Sequence, residues 1–351
     1  MRRLPVLAAA ALLAAAPAAA STVPPNAGIR HGSKSAAQSW AAVDIRFVVA
    51  HGLMAKSVST FRPSDPLTQG ELAALVAGLT QQPVQPSATP SAHVTVAQFD
   101  ARLVKALDLS DAATLFADEV RAAGLAPPPR FGTETVARLL GLRTDHPAAH
   151  DDLELLPSDA ATRAEAAYSA ARILRFGGWE QQNIEDDAAY FMLPTLTTWQ
   201  KRILTTAVRF IGYPYVWGGT SELPETPFRV RAHGGFDCSG FVWRVYKLQA
   251  YPGGAALRAV LRGRTTYAMS GEVPKSKRIP FARLAPADVL FFGDKGPASQ
   301  PAQVGHTGIY LGGGWFIHSS GQGVALASLT GWYKKRFAWA RRPLAEAHLT
   351  G

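Results

Sequence analysis

The chain has 351 residues, enough for two ordinary domains that each bury their own core. Hydrophobic residues make up 47% of it and charged residues 18%, a globular composition that excludes an intrinsically disordered chain. Lysine and arginine outnumber aspartate and glutamate, so the formal net charge is +10 and an anionic partner is expected.

An export signal is predicted over residues 1–20. Arg2 and Arg3 give a positive start, and an apolar stretch over residues 4–16 that is too short to span a bilayer follows them. Three alanines then offer small residues for cleavage before Ser21. A buried core helix is the alternative interpretation. No other segment predicts a transmembrane helix, and we expect a secreted protein.

Export also decides which anionic partners the positive charge indicates. A secreted chain rarely meets nucleic acid, and the basic residues here are dispersed and lack an interleaved aromatic pattern. Anionic polymers of a cell wall or acidic lipid head groups therefore fit better than nucleic acid.

The remaining chain divides by composition into four segments. A polar leader without periodicity is expected over residues 21–35, and short helical patterns fill residues 36–179. Residues 180–196 mix acidic and apolar groups and predict a linker. Residues 197–345 predict an amphipathic helix, a turn rich in glycine and tryptophan, a second helix and then alternating apolar strands.

An internal echo marks the predicted helical region. A Thr that precedes a helical run is followed three residues later by Glu or Gln, which is the signature of a capping box. The three pairs are Thr68 with Glu71, Thr162 with Glu165 and, in a weaker copy, Thr95 with Gln98.

These copies resemble the S-layer homology repeat, a helix-loop-helix module. The resemblance rests on Trp40-Ala41, Gly52, Phe61-Arg62-Pro63 and Thr162-Arg163-Ala164-Glu165, and it covers roughly residues 36–175. Gln69 stands in the first copy where the family signature has arginine. The resemblance implies a helical domain that binds anionic secondary cell-wall polymers. The alternative is a packed spacer of capped helices.

The single cysteine, Cys238, cannot form an intramolecular disulfide. It is a buried bystander, an intermolecular link or a reactive thiol. Its context favours the third: Asp237 or the glycines before it would cap a helix that runs to about Leu248, with Cys238 in the first turn. There the helix dipole and free N–H groups are expected to favour thiolate over thiol and to hold an oxyanion.

Two histidines are expected to meet on a hairpin. The predicted strands around His306 and His318 are joined by three glycines that suit a tight turn, so folding about them makes the two rings neighbours. One can accept the thiol proton while the other holds its ring in the required tautomer. A zinc site formed by the two histidines and Asp237 is the alternative, but no zinc-ligand spacing occurs. We expect no metal and no cofactor.

Five ordered motifs in residues 197–343 resemble the NlpC family of peptidoglycan endopeptidases, also called the p-sixty family. The motifs are Tyr215-Val216-Trp217-Gly218-Gly219, Phe236-Asp237-Cys238-Ser239-Gly240-Phe241, Leu284-Ala285-Pro286-Ala287-Asp288, Gly305-His306-Thr307-Gly308 and Phe316-Ile317-His318-Ser319. The resemblance implies an α+β, papain-like catalytic domain preceded by the helical domain. It implies that Cys238 is the nucleophile, His306 the base and His318 the orienting third group.

The same resemblance implies roles for three further residues and a substrate. Tyr215 would line the site, and Asp237 and Ser239 would shape the pocket and meet the substrate, although capping and turn formation would equally explain them. The expected bond joins D-glutamate's γ-carboxyl to the diamino acid of a peptidoglycan stem peptide. An amidase or acyltransferase on the same fold, or a non-catalytic wall-binding protein, are the alternatives.

Two departures from the family pattern are visible. Ala287 occupies a turn position where the family commonly has glycine. The stretch over residues 220–235 is longer than is usual in the family. It contains Arg229, Arg231 and His233, which form either a basic rim for an acidic peptide or a solvated loop.

Overall fold

A computed structural model of the chain describes residues 35–146 and 153–349. The predicted signal peptide, residues 1–20, and all but the last residue of the predicted leader lie outside these ranges. The described residues form one structural unit, in which a helical region (residues 36–190) precedes a sheet region (residues 197–349). Within the described ranges, no helix has the length and apolar character that crossing a bilayer requires.

The helical region is built from short helices around an alanine-rich interior. Its helices are α1 (Ala42–Ala50), α2 (Gln69–Thr80), α3 (Val96–Ala106), α4 (Ser110–Ala122), α5 (Phe131–Leu139), α6 (Arg163–Leu174) and α7 (Glu180–Tyr190). Small alanines on the buried face of α6 let it pack closely against α1. Helix α7 occupies most of the segment predicted as a linker, residues 180–196, and the domain boundaries remain predictions.

All three echoed threonines cap a helix. The hydroxyl oxygens of Thr68, Thr95 and Thr162 accept the backbone N–H three residues on, at 3.2–3.3 Å. In α2 and α3 the Glu71 or Gln98 side chain returns a bond to the cap, which completes the capping box. Glu165 of α6 instead binds Arg143.

Backbone hydrogen bonds close the three capped copies into a ring. The Leu67 N–H donates to the Ala161 carbonyl at 2.7 Å, the Ala161 N–H to Val94 at 2.8 Å, and the Val94 N–H to Leu67 at 2.9 Å. Each copy therefore donates to one neighbour and accepts from the other, in a threefold pattern that includes the copy predicted to be weak. The resemblance to S-layer homology repeats itself stays a prediction.

The sheet region packs helices against a five-stranded antiparallel sheet with strand order β6-β5-β4-β3-β7. Its strands are β1 (Thr220–Ser221), β2 (Gly235–Phe236), β3 (Val289–Gly293), β4 (Val304–Gly312), β5 (Trp315–Ser320), β6 (Gly323–Ser328) and β7 (Phe337–Arg341). Its helices are α8 (Thr198–Arg209), α9 (Cys238–Trp243), α10 (Leu257–Val260), α11 (Thr266–Gly271), α12 (Gly331–Arg336) and α13 (Pro343–Glu346). A π-helical turn over Arg244–Leu248 continues α9, so helical structure ends where the sequence predicts. The predicted α+β fold class is confirmed.

The two regions share a core. Phe116 of α4, Phe191 and Trp315 of β5 form a triangle of buried rings with centroids 5.0–5.9 Å apart. Beside it, the buried Arg138 guanidinium of α5 donates to the carbonyl oxygens of Gly212 and Gln322. The helical region therefore holds the chain just before Tyr215 and the turn between β5 and β6.

Candidate active site

Cys238 is the first residue of α9, and the Asp237 side chain caps this helix by accepting the Gly240 N–H at 2.5 Å. Helix α9 packs on β4 and β5. The half-buried Cys238 sulfur accepts backbone N–H groups of Thr307 and Ser239. Because Thr307 follows His306 on β4, this contact places the sulfur beside the strand that carries the predicted base.

The structure brings the two predicted histidines into contact. His306 Nε2 lies 2.7 Å from His318 Nδ1, and the rings are nearly perpendicular at 83°. This bond occupies Nε2 of His306, so only its Nδ1 is left to take a proton from a thiol. With Nδ1 free to accept, Nε2 carries the hydrogen and donates it to His318, which fixes the tautomer of His306.

Aromatic rings surround this histidine pair. The His306 ring lies 5.7 Å from Phe292, and the His318 ring lies 4.9 Å from Phe316 and 5.3 Å from Tyr333. Burial lowers the pKa of His306 to about 4. Burial, and then the neighbouring His306, lower the pKa of His318 well below its ordinary value. Both imidazoles are therefore neutral at neutral pH.

The thiol differs from the sequence-based expectation. Burial first, and the Asp237 carboxylate second, raise the pKa of Cys238 to about 12. The prediction that the helix start favours thiolate over thiol is therefore wrong for the resting state. The helix is short, and its capping carboxylate opposes the positive end of the dipole at this position. A thiol in this state becomes a nucleophile only when a neighbouring base takes its proton.

Tyr215, the residue predicted to line the site, is half-buried and bridges to Phe236, two residues before the cysteine. Burial first, and then the neighbouring Cys238, raise the pKa of the Tyr215 hydroxyl above its ordinary value. The phenol therefore stays protonated and can donate a hydrogen bond near the sulfur.

Asp237 and Ser239 are engaged within the protein. The Asp237 carboxylate accepts the Gly218 N–H at 2.9 Å, the Ser239 hydroxyl at 3.0 Å and the Arg264 guanidinium at 3.1 and 3.2 Å. Arg264 also donates to the Ser239 oxygen at 2.6 Å. Asp237 and Ser239 therefore hold the predicted nucleophile turn, residues 237–239, to the Trp217-Gly218-Gly219 turn. Their contact with substrate remains a prediction.

No sequence pattern singles out Arg264 or Tyr333 as a site residue. Arg264 lies outside every recognised motif and reaches the site from the chain before α11, where it also binds the Gly218 and Gly219 carbonyls at 3.2 Å. Tyr333 lies on α12, close to both histidines. A lone arginine and a lone tyrosine carry no spacing signal, so only the tertiary structure reveals them.

The two departures from the family pattern have structural consequences. Ala287 has φ +69°, in the left-handed region where glycine is favoured and another residue costs about 1 kcal/mol. In the long loop, His233 Nδ1 lies 2.6 Å from Asp159 of the helical region, whereas Arg229 and Arg231 are exposed. The predicted basic rim is thus reduced to its two arginines.

A helix-borne cysteine packed on an antiparallel sheet that carries paired histidines defines the cysteine-hydrolase class of papain-like architecture. Residues 212–342 match the model of the NlpC/P60 family. In the described ranges, no group of three or more His, Cys, Asp or Glu side chains is arranged to hold a metal ion.

Named relatives share this part of the chain. The gamma-D-glutamyl-L-lysine dipeptidyl-peptidase of Bacillus subtilis (strain 168) is 30% identical over 148 residues, 41% of this chain and 41% of that protein. The murein DD-endopeptidase MepH of Escherichia coli (strain K12) is 32% identical over 135 residues, 38% of this chain and 41% of that protein. A crystal structure of an NlpC/P60 family protein from Bacillus cereus ATCC 10987 is 26% identical, with a TM-score of 0.32 over 44% of this chain and 43% of that one. The chain spans about two fifths of the length of these curated relatives.

Proposed function

We propose that the protein is a peptidoglycan hydrolase that cuts stem peptides with Cys238 as nucleophile, His306 as base and His318 as the group that orients the base. The observation that carries the proposal is the 2.7 Å bond between His306 and His318 on the strands against which the cysteine-bearing helix packs. The match of residues 212–342 to the NlpC/P60 family model supports it.

The proposed reaction has two halves. The Cys238 sulfur attacks an amide carbonyl while its proton passes to Nδ1 of His306. Mutual attraction between the sulfur anion and the imidazolium, and the N–H groups of Thr307 and Ser239, offset the cost of separating charge in a buried site. The oxyanion is held by the Cys238 N–H and the protonated Tyr215 hydroxyl.

The imidazolium then protonates the leaving amine, and the amine departs from a thioester. Water gives a proton to His306 as it attacks the thioester, and the thiol and a free carboxylic acid are released. His318 accepts the Nε2 hydrogen throughout and so leaves Nδ1 of His306 free to exchange protons. No metal or organic cofactor takes part in these steps.

The bond we propose joins D-glutamate's γ-carboxyl to the diamino acid. The name of the Bacillus subtilis relative contains this γ-D-glutamyl linkage to L-lysine, whereas the Escherichia coli relative is named for a DD bond. An amidase or an acyltransferase would use the same cysteine and histidines. A non-catalytic wall-binding protein would use neither.

The test is a digest of defined muropeptides by the purified chain, with products identified by mass spectrometry. Wild type should leave a muramyl peptide that ends in D-glutamate and release a peptide that begins with the diamino acid, and Cys238→Ala should lower the rate at least about 10⁴-fold. Because Cys238 is the sole cysteine of the chain, no second thiol can mask the loss.

The other outcomes separate the alternatives. A cut between sugar and peptide would indicate an amidase, and transfer of the acyl group to an added amine would indicate an acyltransferase. Equal activity of wild type and Cys238→Ala would remove the cysteine from its role. Peptidoglycan binding by a wild type that cuts nothing would favour the non-catalytic protein.

We further propose that the protein is secreted to the cell wall and that the helical region binds anionic secondary wall polymers. The ring of three capped copies and the resemblance to S-layer homology repeats support this. The signature Arg163 is bound internally to Glu71, to the Met54 carbonyl and over the Phe61 ring, which favours the spacer alternative for that residue. Co-sedimentation of full-length Cys238→Ala with purified wall polymer tests binding, and a spacer would stay in the supernatant.

A further inference from the structure

We propose that exposed aromatic side chains around Cys238 bind the glycan strand that carries the stem peptide. These side chains, here called the aromatic rim, are Trp217, Phe228, Tyr267 and Trp332. The inference rests on the proposed function and deepens it, because it makes polymeric peptidoglycan, rather than detached peptide, the preferred substrate.

Two rim residues lie on the side of the nucleophile turn. The Trp217 side chain is 72% exposed, and the next residue, Gly218, donates its N–H to the capping carboxylate of Asp237. The Phe228 ring is 74% exposed and packs with one edge on Gly218. Phe228 and Arg229 have φ of +50° and +69°, a sparsely populated conformation for residues other than glycine. The loop is thus held in an unusual conformation that presents this ring to solvent.

The other two rim residues lie on the side of the histidines. Trp332 is 55% exposed, and its ring packs edge-on against Tyr333, which contacts His318. Tyr267 is 56% exposed on α11. The residue before it, Thr266, donates its hydroxyl to the Val304 carbonyl at 2.7 Å, two positions before His306 on β4.

Single exposed apolar side chains are ordinary on protein surfaces, but several on separate elements around one catalytic site mark an interaction surface. The turn that carries Trp217, helix α11 with Tyr267 and helix α12 with Trp332 each contact a residue within two positions of Asp237, His306 or His318. Phe228 packs on Gly218, beside Trp217. Core packing does not explain the four rings, because more than half of each side chain faces water.

The chemistry of the rim fits peptide-bearing glycan. Pyranose rings expose flat C–H faces that stack on aromatic faces, whereas the stem peptides carry free carboxylates. Exposed Arg229 and Arg231 follow Phe228, and exposed Lys334 and Lys335 follow Trp332, so both sides of the site pair aromatic rings with positive charge. The Arg336 guanidinium lies over one face of Trp332, 4.8 Å from its centroid, so a sugar would stack on the other face. A detached peptide would need only the central site and would leave the rim without a ligand.

The experiment compares cutting rates on two substrates that contain the same peptide. One is polymeric peptidoglycan, and the other is the stem peptide freed from its sugars. The double variant Trp217→Ala, Trp332→Ala should lower the ratio of the polymer rate to the peptide rate about tenfold, the equivalent of ~1.4 kcal/mol. The matched control is Trp179→Ala, which removes an indole of similar exposure, 60%, from the helical region and should leave the ratio unchanged.

A second readout needs no turnover. Tryptophan fluorescence of Cys238→Ala should change on titration with N-acetylglucosamine oligomers, and the double variant in the same background should lose that change. An unchanged fluorescence, or equal loss of rate on both substrates, would overturn the inference. Failure of wild type to cut either substrate would instead overturn the proposed function, so the two failures are distinguishable.

Discussion

The Arg143 cluster of the helical region and the candidate site of the sheet region both bury titratable side chains, but in opposite states. In the helical region, buried Arg143 binds Asp100 at 2.9 Å and Glu165 at 2.8 Å, so charge is paired with charge. In the sheet region, His306 and Cys238 have pKa values shifted toward their neutral forms by burial. No carboxylate is bonded to the histidine pair among the described contacts.

The difference separates structural from chemical burial. A buried ion pair whose members satisfy each other holds elements together and has little left to offer a substrate. Burial shifts the pKa values of Cys238 and His306 toward the neutral acid and the neutral base, and groups with such shifted pKa values are concentrated at functional sites. The charge state of the buried groups thus distinguishes the Arg143 cluster from the candidate site.

The shared core predicts that the two regions unfold together. Phe116→Ala removes a fully buried ring from the triangle with Phe191 and Trp315 and should cost ~3–5 kcal/mol. Helical circular dichroism and activity should be lost in one transition at a lower temperature. The neighbouring Leu115→Ala is the control, because Leu115 is 50% exposed and should change stability by less than ~0.5 kcal/mol. Separate melting of the two signals would contradict the shared core.

Removing His318, the histidine proposed to orient the base, should affect chemistry more than binding. His318→Gln should lower kcat about 10–100-fold with KM nearly unchanged, because the variant disturbs the tautomer of His306 and leaves the substrate surface intact. His348→Gln, at the far end of the chain, is the matched control. A raised KM with unchanged kcat would instead place His318 in contact with substrate.

The lowered pKa of His306 predicts activity in acid. The imidazole must be neutral to take the thiol proton, so kcat/KM should hold from about pH 7 to about pH 5 and fall by half near pH 4. Tyr333→Ser should admit water to the histidine pair and move this acid limb toward the ordinary pKa of about 6.5. An acid limb near 6.5 in wild type would show that burial does not control the base.

The smallest effect on stability is expected from the titrating pair His233–Asp159, which joins the sheet region to the helical region. The hydrogen bond to Asp159 raises the pKa of His233, so this pair stabilises the fold below the unfolded pKa of about 6.5 and ceases to do so as pH rises through the folded pKa. His233→Gln should lower the free energy of unfolding at about pH 6 by less than ~1 kcal/mol, because the pair is partly exposed, and should have no effect at about pH 9. Urea titrations at the two pH values measure it, and an equal loss at both would exclude a titrating pair.

Local sequence signals predict the centre of the candidate site, but they do not predict the contacts between residues that are distant in the chain. The capped helix at Cys238 and the hairpin that pairs His306 with His318 follow from a few consecutive residues, so sequence was sufficient. The raised pKa of the thiol depends on burial by distant elements, which no spacing encodes. Arg264 and the shared ring triangle likewise join residues from separate parts of the chain.

Local sequence signals predict the fold class, but they do not predict how the helical region packs on the sheet region. Periodicity identified the helices and strands one by one, and the motif order indicated the α+β domain. How the helical region packs on the sheet region depends on Arg138 meeting two backbone carbonyls, which have no side-chain signature. The copy with Thr95 and Gln98 joins the ring through the backbone of Val94, and backbone hydrogen bonds leave no residue signature in the sequence.

The ring of copies limits how this chain can vary over time. A solenoid leaves an unpaired face at its last repeat and can grow there, whereas a triangle of mutual bonds has no open end. The loss of one copy would remove two of the three junctions, and a fourth copy would interrupt one. Added sequence is tolerated only between copies, and the segment between the second and third copies carries α4 and α5, with Phe116 and Arg138. The segment inserted between these two copies is therefore also the segment that packs the helical region on the sheet region.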